Sequence, residues 1–312
     1  MNTTELHVEE FASSVLAVPP LARRADLSLD PAQNIALIRH MEAGGQRILL
    51  YGGNANMVHC SLPDYAELLE LLAANTAKTT RVIPSIGPDF GKMMDQARLL
   101  RGSGYRTAMV LPMQGVTTPE GVAEGIARFV QAASMSVTLY LKDERTLELE
   151  RIGRLVDQGQ VLAVKYGLAR ANPADDPYLD ALIQRIGPQR IISGMGERPV
   201  LAHLGRFGLG SFTTGSGCIA PRASMRLLQA MQKRDLVAAE PLHSHFMPLE
   251  NLRESISLIT VLHEAVTLCG VADMGPHLPL LCPPPYERMP EIMKMARALI
   301  QYEREFQFPA KS

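Results

Sequence analysis

Short apolar runs alternate with amphipathic segments along the first 235 residues of the chain. Strands that are buried on both faces of a parallel sheet are almost continuously apolar, so these runs predict parallel strands. The eight runs lie at 14–18, 47–53, 81–87, 106–112, 136–140, 161–165, 190–194 and 209–215.

A helix is predicted after each of these strands. Several of the helical segments have proline in the first turn, and glycine follows many of them, as at Gly44 and Gly45. Eight strand–helix units are the number in a closed (β/α)8 TIM barrel, which is the α/β fold that we predict. The helical segments are 31–43, 63–75, 89–101, 119–133, 147–158, 176–186, 198–207 and 221–232.

An open doubly wound sheet is the alternative arrangement. That fold usually has a glycine-rich turn after its first strand, whereas here the chain continues as AVPPLARRAD. Beyond residue 235 the pattern is purely helical, with segments predicted at 236–249, 252–269 and 288–306. We therefore predict a barrel over residues 1–234 and a helical C-terminal subdomain, packed on the barrel, over 235–312.

Composition and charge narrow the classes of function. The formal net charge of −1 over 312 residues gives no electrostatic reason to expect nucleic acid or a membrane as partner. No segment has the roughly 18–20 uncharged apolar residues of a membrane span, and the acidic N-terminal segment does not resemble a signal peptide. We expect a cytoplasmic protein. The four cysteines include no CxxC pair, so the sequence predicts neither a zinc cage nor a disulfide framework.

Lys165 is the strongest candidate for chemistry. Lysine is scarce, with seven in the chain, and this one ends the apolar strand VLAVK. A buried amine without a partner tends to lose its proton, and a neutral amine at the mouth of a barrel is what imine (Schiff-base) catalysis requires. The alternative is a lysine whose amine reaches solvent from the strand end.

Tyr140 ends the preceding strand, SVTLY, so its phenol is expected beside the amine of Lys165 and is suited to proton transfer. The alternative is a core tyrosine with its hydroxyl at the rim. Arg145 is a candidate for binding a second carboxylate, although an exposed arginine at a helix start is common. If the strand SVTLY continues to Lys142, alternation places the side chains of Lys142 and Tyr140 on the same face of the sheet. The charge of Lys142 would then lower the pKa of Lys165. The alternative is a solvated lysine in a polar loop.

Glycine-rich turns follow three of the predicted strands. In YGGNAN (51–56), Gly53 and Asn54 offer backbone and side-chain donors to a carboxylate across the mouth from Lys165. SGMGE (193–197) and SFTTGSG (211–217) follow strands seven and eight, where barrels often hold anions. The residues predicted to contact substrate in these two turns are Gly194, Glu197 and Thr213.

Nearly the whole chain resembles the dihydrodipicolinate synthase and N-acetylneuraminate lyase superfamily of class I aldolases. The resemblance rests on Tyr140, the Tyr-x4-Arg-Thr spacing of YLKDERT, and the lysine of AVKYG. It implies a barrel in which Lys165 forms an imine with pyruvate or a related 2-oxo acid and Tyr140 shuttles protons. It also implies that the loop after strand two binds the substrate carboxylate, and that the protein is a homodimer or homotetramer.

Other positions depart from the family or combine two of its branches. The loop Gly-Gly-Asn-Ala-Asn (52–56) lacks both hydroxyls and the glutamate that the family usually has there, and Met113 and Gln114 replace a tyrosine pair. Arg145 matches a synthase position that binds a distal carboxylate, whereas Glu197 matches a lyase position that binds a sugar chain. This mixture argues against lysine biosynthesis and favours a different branch of the family.

Three functions follow as hypotheses. The first is a metal-independent lyase or aldolase without a cofactor that acts on pyruvate or a related 2-oxo acid, with a 2-keto-3-deoxy sugar acid dehydratase or aldolase as its alternative. The second is a metal-dependent class II aldolase, which needs histidine or carboxylate ligands at strand ends; none of the eight histidines lies in a predicted strand. The third is a non-catalytic 2-oxo acid binding protein on the same scaffold.

Overall fold

A computed structural model of the chain describes residues 1–112 and 115–306, so Met113 and Gln114 lie outside the described residues. The described residues form a closed barrel of eight parallel strands in the order β1 to β8, with helices between them. The predicted (β/α)8 barrel is confirmed. The strands are β1 Leu16–Ala17, β2 Ile48–Tyr51, β3 Arg81–Ile86, β4 Thr107–Val110, β5 Ser136–Leu141, β6 Val161–Tyr166, β7 Ile191–Ser193 and β8 Ser211–Thr214.

The helices of the barrel follow their strands as predicted, and three of them match the predicted bounds at both ends. Local capping explains the sharp starts: Asp30 accepts a hydrogen bond from the backbone N–H of Gln33, and Thr118 accepts one from Gly121. The eight helices are α1 Pro31–Ala43, α2 Leu62–Asn75, α3 Phe90–Leu100, α4 Pro119–Ala133, α5 Leu149–Asp157, α6 Pro177–Ile186, α7 Val200–Gly205 and α8 Pro221–Gln232.

The C-terminal extension consists of three helices packed on the barrel, α9 Leu236–Ser255, α10 Thr260–Leu268 and α11 Met289–Glu305. The predicted break between residues 249 and 252 is wrong, because α9 continues through Pro248 to Ser255. A proline inside a helix removes one hydrogen bond, but α9 buries Phe246, Leu249 and Leu252, and this burial outweighs the loss. The division of the chain at residue 235 stays a prediction.

The carboxyl ends of the strands lie at one end of the barrel, where enzymes of this fold carry their active sites. The register pairs Tyr140 of β5 with Lys165 of β6, and Lys165 with Ile192 of β7. None of the helices in the described ranges combines the length and the hydropathy needed to cross a bilayer.

Candidate active site

The amine of Lys165 lies inside the barrel mouth, against the ring of Tyr140. The Lys165 residue is only 5% exposed, and its Nζ lies 3.7 Å from the centroid of the Tyr140 ring. The two residues are paired on neighbouring strands, so the barrel itself sets this contact. The structure therefore brings together the two residues predicted to carry the chemistry.

Burial, followed by the positive charges of Lys142 and Arg253, lowers the pKa of Lys165 to about 7. The uncharged amine is consequently accessible near neutral pH. Burial also raises the pKa of Tyr140 to about 12, so its hydroxyl keeps its proton at neutral pH. The exposed Lys142, one residue beyond the end of β5, has its Nζ 5.8 Å from the centroid of the same ring, which places a second amine near the site.

The side chains of Lys165 and Tyr140 occupy space that is free because two neighbouring residues are glycines. A Cβ at Gly194 would lie 2.9 Å from Cγ of Lys165 and 2.5 Å from the carbonyl oxygen of Tyr166. A Cβ at Gly167 would lie 2.6 Å from Cε2 of Tyr140. Any larger residue at either position displaces the lysine or the tyrosine, so Gly194 acts by making room for Lys165.

The loop after β2 forms a short 3-10 helix, Gly53–Ala55, on the opposite side of the mouth. The side-chain amide of Asn54 contacts the protein at both ends: its Nδ2 donates to the carbonyl of Val18 at 2.7 Å, and its Oδ1 accepts from Arg253 at 3.4 Å. Within residues 1–112 and 115–306, the backbone N–H groups of Gly53 and Asn54 have no hydrogen-bond acceptor. The loop therefore has backbone donors to offer, whereas the Asn54 amide binds within the protein.

A buried polar cluster lies between the loops after β7 and β8 and helix α9. It consists of Glu197, Thr214, Ser216, Glu250 and Arg253. The Thr214 hydroxyl donates to Glu197, the Ser216 hydroxyl donates to Glu250, and Arg253 forms an ion pair with Glu250 at 2.5 Å. Burial, with the neighbouring Glu250, raises the pKa of Glu197 to about 8, which favours the protonated form of this carboxyl. The other oxygen of Glu197, Oε2, has no partner among the described residues.

Thr213 and Arg145, two other residues predicted to contact substrate, differ in their burial. Thr213 is buried in β8, and its hydroxyl donates to the carbonyl of Ser193 at 3.2 Å. The side chain of Arg145 is 90% exposed and binds Asp143 at 2.7 Å, so the structure does not bring it into the buried site. A distal carboxylate would reach Arg145 only at the outer rim.

Glu250 and Arg253 are not among the site residues predicted from the sequence. Both are buried, and they lie three positions apart on the face of α9 that also carries Leu249 and Leu252. Two opposite charges on an otherwise apolar helical face were a signal that a buried ion pair was present. Among the described residues, no group of three or more His, Cys, Asp or Glu side chains is arranged to hold a metal ion.

Comparisons with known proteins agree with this fold. No protein-family model matches the chain. A probable 5-dehydro-4-deoxyglucarate dehydratase of Bacillus subtilis strain 168 is 21% identical over 277 residues, which are 85% of this chain and 86% of that protein. Dihydrodipicolinate synthase from Bacillus clausii has a TM-score of 0.82 at 18% identity, over 93% of this chain and 99% of that one. The sialic acid aldolase of Ruminococcus gnavus has a TM-score of 0.81 at 15% identity, over 94% and 99%.

These comparisons confirm the predicted resemblance to the dihydrodipicolinate synthase and N-acetylneuraminate lyase superfamily. The structural likeness establishes the barrel with its helical extension. The names of the relatives agree with the predicted enzyme class, lyases of the class I aldolase type. The curated relative reported above is named a probable dehydratase, which agrees with the alternative predicted from the sequence, a 2-keto-3-deoxy sugar acid dehydratase or aldolase.

Proposed function

We propose that the chain is an imine-forming lyase in which Lys165 attacks the carbonyl of a 2-oxo acid and Tyr140 transfers protons. The observation that carries the proposal is the buried amine of Lys165, 3.7 Å from the centroid of the Tyr140 ring and with its pKa lowered to about 7. An amine with this pKa is both nucleophilic and able to carry the positive charge of an iminium ion near neutral pH.

The steps follow from the two groups. Nζ of Lys165 forms a bond to the 2-oxo carbon, and the resulting carbinolamine loses its oxygen as water, with a proton from Tyr140. The iminium nitrogen withdraws electrons, so the Tyr140 phenolate that the previous step leaves takes a proton from C3, and an enamine forms. In a substrate with a hydroxyl on C4, the enamine electrons expel that hydroxyl, which leaves as water after protonation. Hydrolysis of the conjugated imine then releases the product and restores the amine.

Dehydration of a 2-oxo-3-deoxy sugar acid is the reaction that we favour. Counted from its keto end, 5-dehydro-4-deoxyglucarate, the compound in the names of the curated relatives, has a 2-oxo group, a C3 methylene and a C4 hydroxyl. It thus contains every group that the elimination requires. Aldol cleavage or condensation of pyruvate uses the same imine and is the second candidate.

The remaining contacts complete the proposal. The backbone donors of Gly53 and Asn54 face a substrate carboxylate, Gly194 makes room for the imine, and Glu197 and Thr213 line the side of β7 and β8. Arg145 is placed to meet a distal carboxylate at the rim. A metal and a cofactor have no part in these steps. A homodimer or homotetramer and a cytoplasmic location stay predictions from the sequence.

Borohydride trapping tests the proposal. The protein is incubated with pyruvate, reduced with borohydride and digested, and the labelled peptide is identified by mass spectrometry. We expect an adduct on Lys165 that also forms in EDTA. An unlabelled Lys165, under conditions that label a control class I aldolase, refutes the imine. Calorimetric binding of pyruvate that is unchanged in Lys165→Ala would favour the non-catalytic binding protein instead.

The favoured reaction is tested separately with 5-dehydro-4-deoxyglucarate. We expect its consumption to yield a product that has lost water, detected by mass spectrometry. Trapping of pyruvate without any turnover of this compound rejects the dehydratase and leaves the aldol reaction.

A further inference from the structure

We propose that Arg253, supplied by helix α9 of the extension, binds the substrate carboxylate that adjoins the reactive carbonyl, and that Asn54 and Glu250 position its guanidinium. This inference rests on the proposed function, because it assigns one end of the same substrate. It gives the C-terminal extension a part in the active site that the strands of the barrel do not supply.

The position of Arg253 is the first argument. Its side chain is 5% exposed, and it spans the gap between the loop after β2, where Nη2 contacts Asn54, and the loop after β8. A Cβ at Gly215 would lie 2.5 Å from Nη2 and 2.6 Å from Nη1 of Arg253, so the guanidinium packs directly on the backbone after β8. These loops lie at the mouth of the barrel, where Lys165 also ends.

The donors that remain on Arg253 are the second argument. A guanidinium has five N–H groups in a rigid planar fork. Within the described residues, Nε donates to the carbonyl of Leu258 at 3.1 Å, Nη1 donates to Glu250 at 2.5 Å, and Nη2 makes a long contact to Asn54 at 3.4 Å. Each terminal nitrogen therefore keeps one N–H for another acceptor. Two N–H groups of one guanidinium match the two oxygens of a carboxylate.

The charges around the guanidinium are the third argument. Glu250 is the carboxylate paired with Arg253, and burial with the neighbouring Glu250 raises the pKa of Glu197, which favours the neutral form of that carboxyl. Lys165 must be uncharged to attack the carbonyl. The guanidinium of Arg253 is therefore the group in this cluster that attracts an incoming carboxylate.

The contrast with Arg145 supports the assignment. Arg145 is 90% exposed and held by Asp143, so it has neither the burial nor the position to bind the carboxylate next to the imine carbon. The positive charge of Arg253, in contrast, is felt by Lys165. Arg253 also contacts the loop after β2 through Asn54.

Pyruvate and its methyl ester separate this role from a merely structural one, because they differ in the carboxylate and share the carbonyl. For each protein, the concentration that gives half-maximal labelling of Lys165 is measured with both compounds. The wild type is compared with Arg253→Lys, which keeps the charge but loses the fork. It is also compared with the double variant Arg253→Gln/Glu250→Gln, which leaves no buried charge unpaired. Arg198→Lys is the matched control, because Arg198 also contacts α9, through Glu254, but at the surface.

We expect the wild type to prefer pyruvate, and both Arg253 variants to need about ten- to hundredfold more pyruvate, the effect of losing hydrogen bonds to a charged group. For the methyl ester, both Arg253 variants are expected to need the same half-maximal concentration as the wild type. Arg198→Lys is expected to match the wild type with pyruvate and with the ester. Because the preference is a ratio within one protein, a loss of folded material does not alter it. Unchanged preference in both Arg253 variants overturns the inference while the proposed function stands. A wild type that is not labelled at all refutes both.

Discussion

The two sides of the barrel mouth are built in different ways. On one side, Tyr140 and Lys165 each precede the last residue of neighbouring strands, and the strand register alone brings them together. On the other side, Asn54 contacts Arg253 across 199 positions of sequence, and the contact requires helix α9 to pack on the barrel. The amine side follows from the repeating strand–helix unit, whereas the opposite side depends on the extension.

In the proposed function, the side with Lys165 and Tyr140 carries out the chemistry, and the side with Asn54 and Arg253 recognises the substrate. The strands of a barrel are rigid and paired along their length, so Lys165 and Tyr140, the nucleophile and proton donor of the proposed function, are held by the whole sheet. Loops and an added helix change more readily, and they carry the buried polar cluster of Glu197, Glu250 and Arg253. In the proposed function the same amine serves different 2-oxo acids, and we expect this cluster to set the selectivity among them.

Replacement of Lys165 has the largest expected effect on the amine side. Lys165→Met keeps a long unbranched side chain but has no nucleophile, so we expect no labelled adduct and a loss of turnover of at least ~10⁵-fold, the lower end of the advantage of a well-placed reacting group. Lys142→Met is the control, and it is expected to keep the adduct. If Lys165→Met is still labelled and Lys142→Met is not, the imine forms on Lys142 and the assignment to Lys165 is refuted.

Tyr140→Phe tests the proton-transfer role of the Tyr140 hydroxyl on the same side of the mouth. The ring that packs against Nζ is kept and the hydroxyl is lost, so we expect turnover to fall by about 10²- to 10⁴-fold, the range for one positioned proton donor. The adduct on Lys165 should still form, but more slowly. Single-turnover kinetics separate the two steps, and a wild-type rate of water loss would show that Tyr140 only supports the amine.

On the recognition side, Glu250→Gln and Glu197→Gln form a matched pair. Glu250 is the buried partner of Arg253, and breaking a buried ion pair costs roughly 3–5 kcal/mol of unfolding free energy. Burial and Glu250 raise the pKa of Glu197, which favours its neutral form at pH 7, so its amide isostere should cost about 1 kcal/mol or less. Urea unfolding measures both values. Equal losses would mean that both carboxyls are charged in the folded protein.

Much of this structure is predictable from the sequence, for identifiable reasons. The alternation of apolar runs and helices fixes the barrel, and proline and capping residues fix helices such as α1 and α4 to the residue. Lys165 and Tyr140 are predictable because each ends an apolar strand. The structure departs from the prediction where distant elements meet: α9 runs through Pro248, Asn54 bonds to Val18 and Arg253, and Arg145 turns to Asp143. Tertiary packing decides these details, and the local hydrophobic periodicity of the sequence does not predict it.

The pH dependence of labelling tests the account most directly, because the whole proposal requires an amine that is uncharged near neutral pH. The rate at which pyruvate and borohydride label Lys165 is measured between pH 5 and about 11, a range that brackets the pKa values at issue. Since the uncharged amine attacks and burial lowers its pKa to about 7, the rate should rise as the pH increases through about 7. A rise centred near 10.5, the ordinary pKa of lysine, would contradict the account.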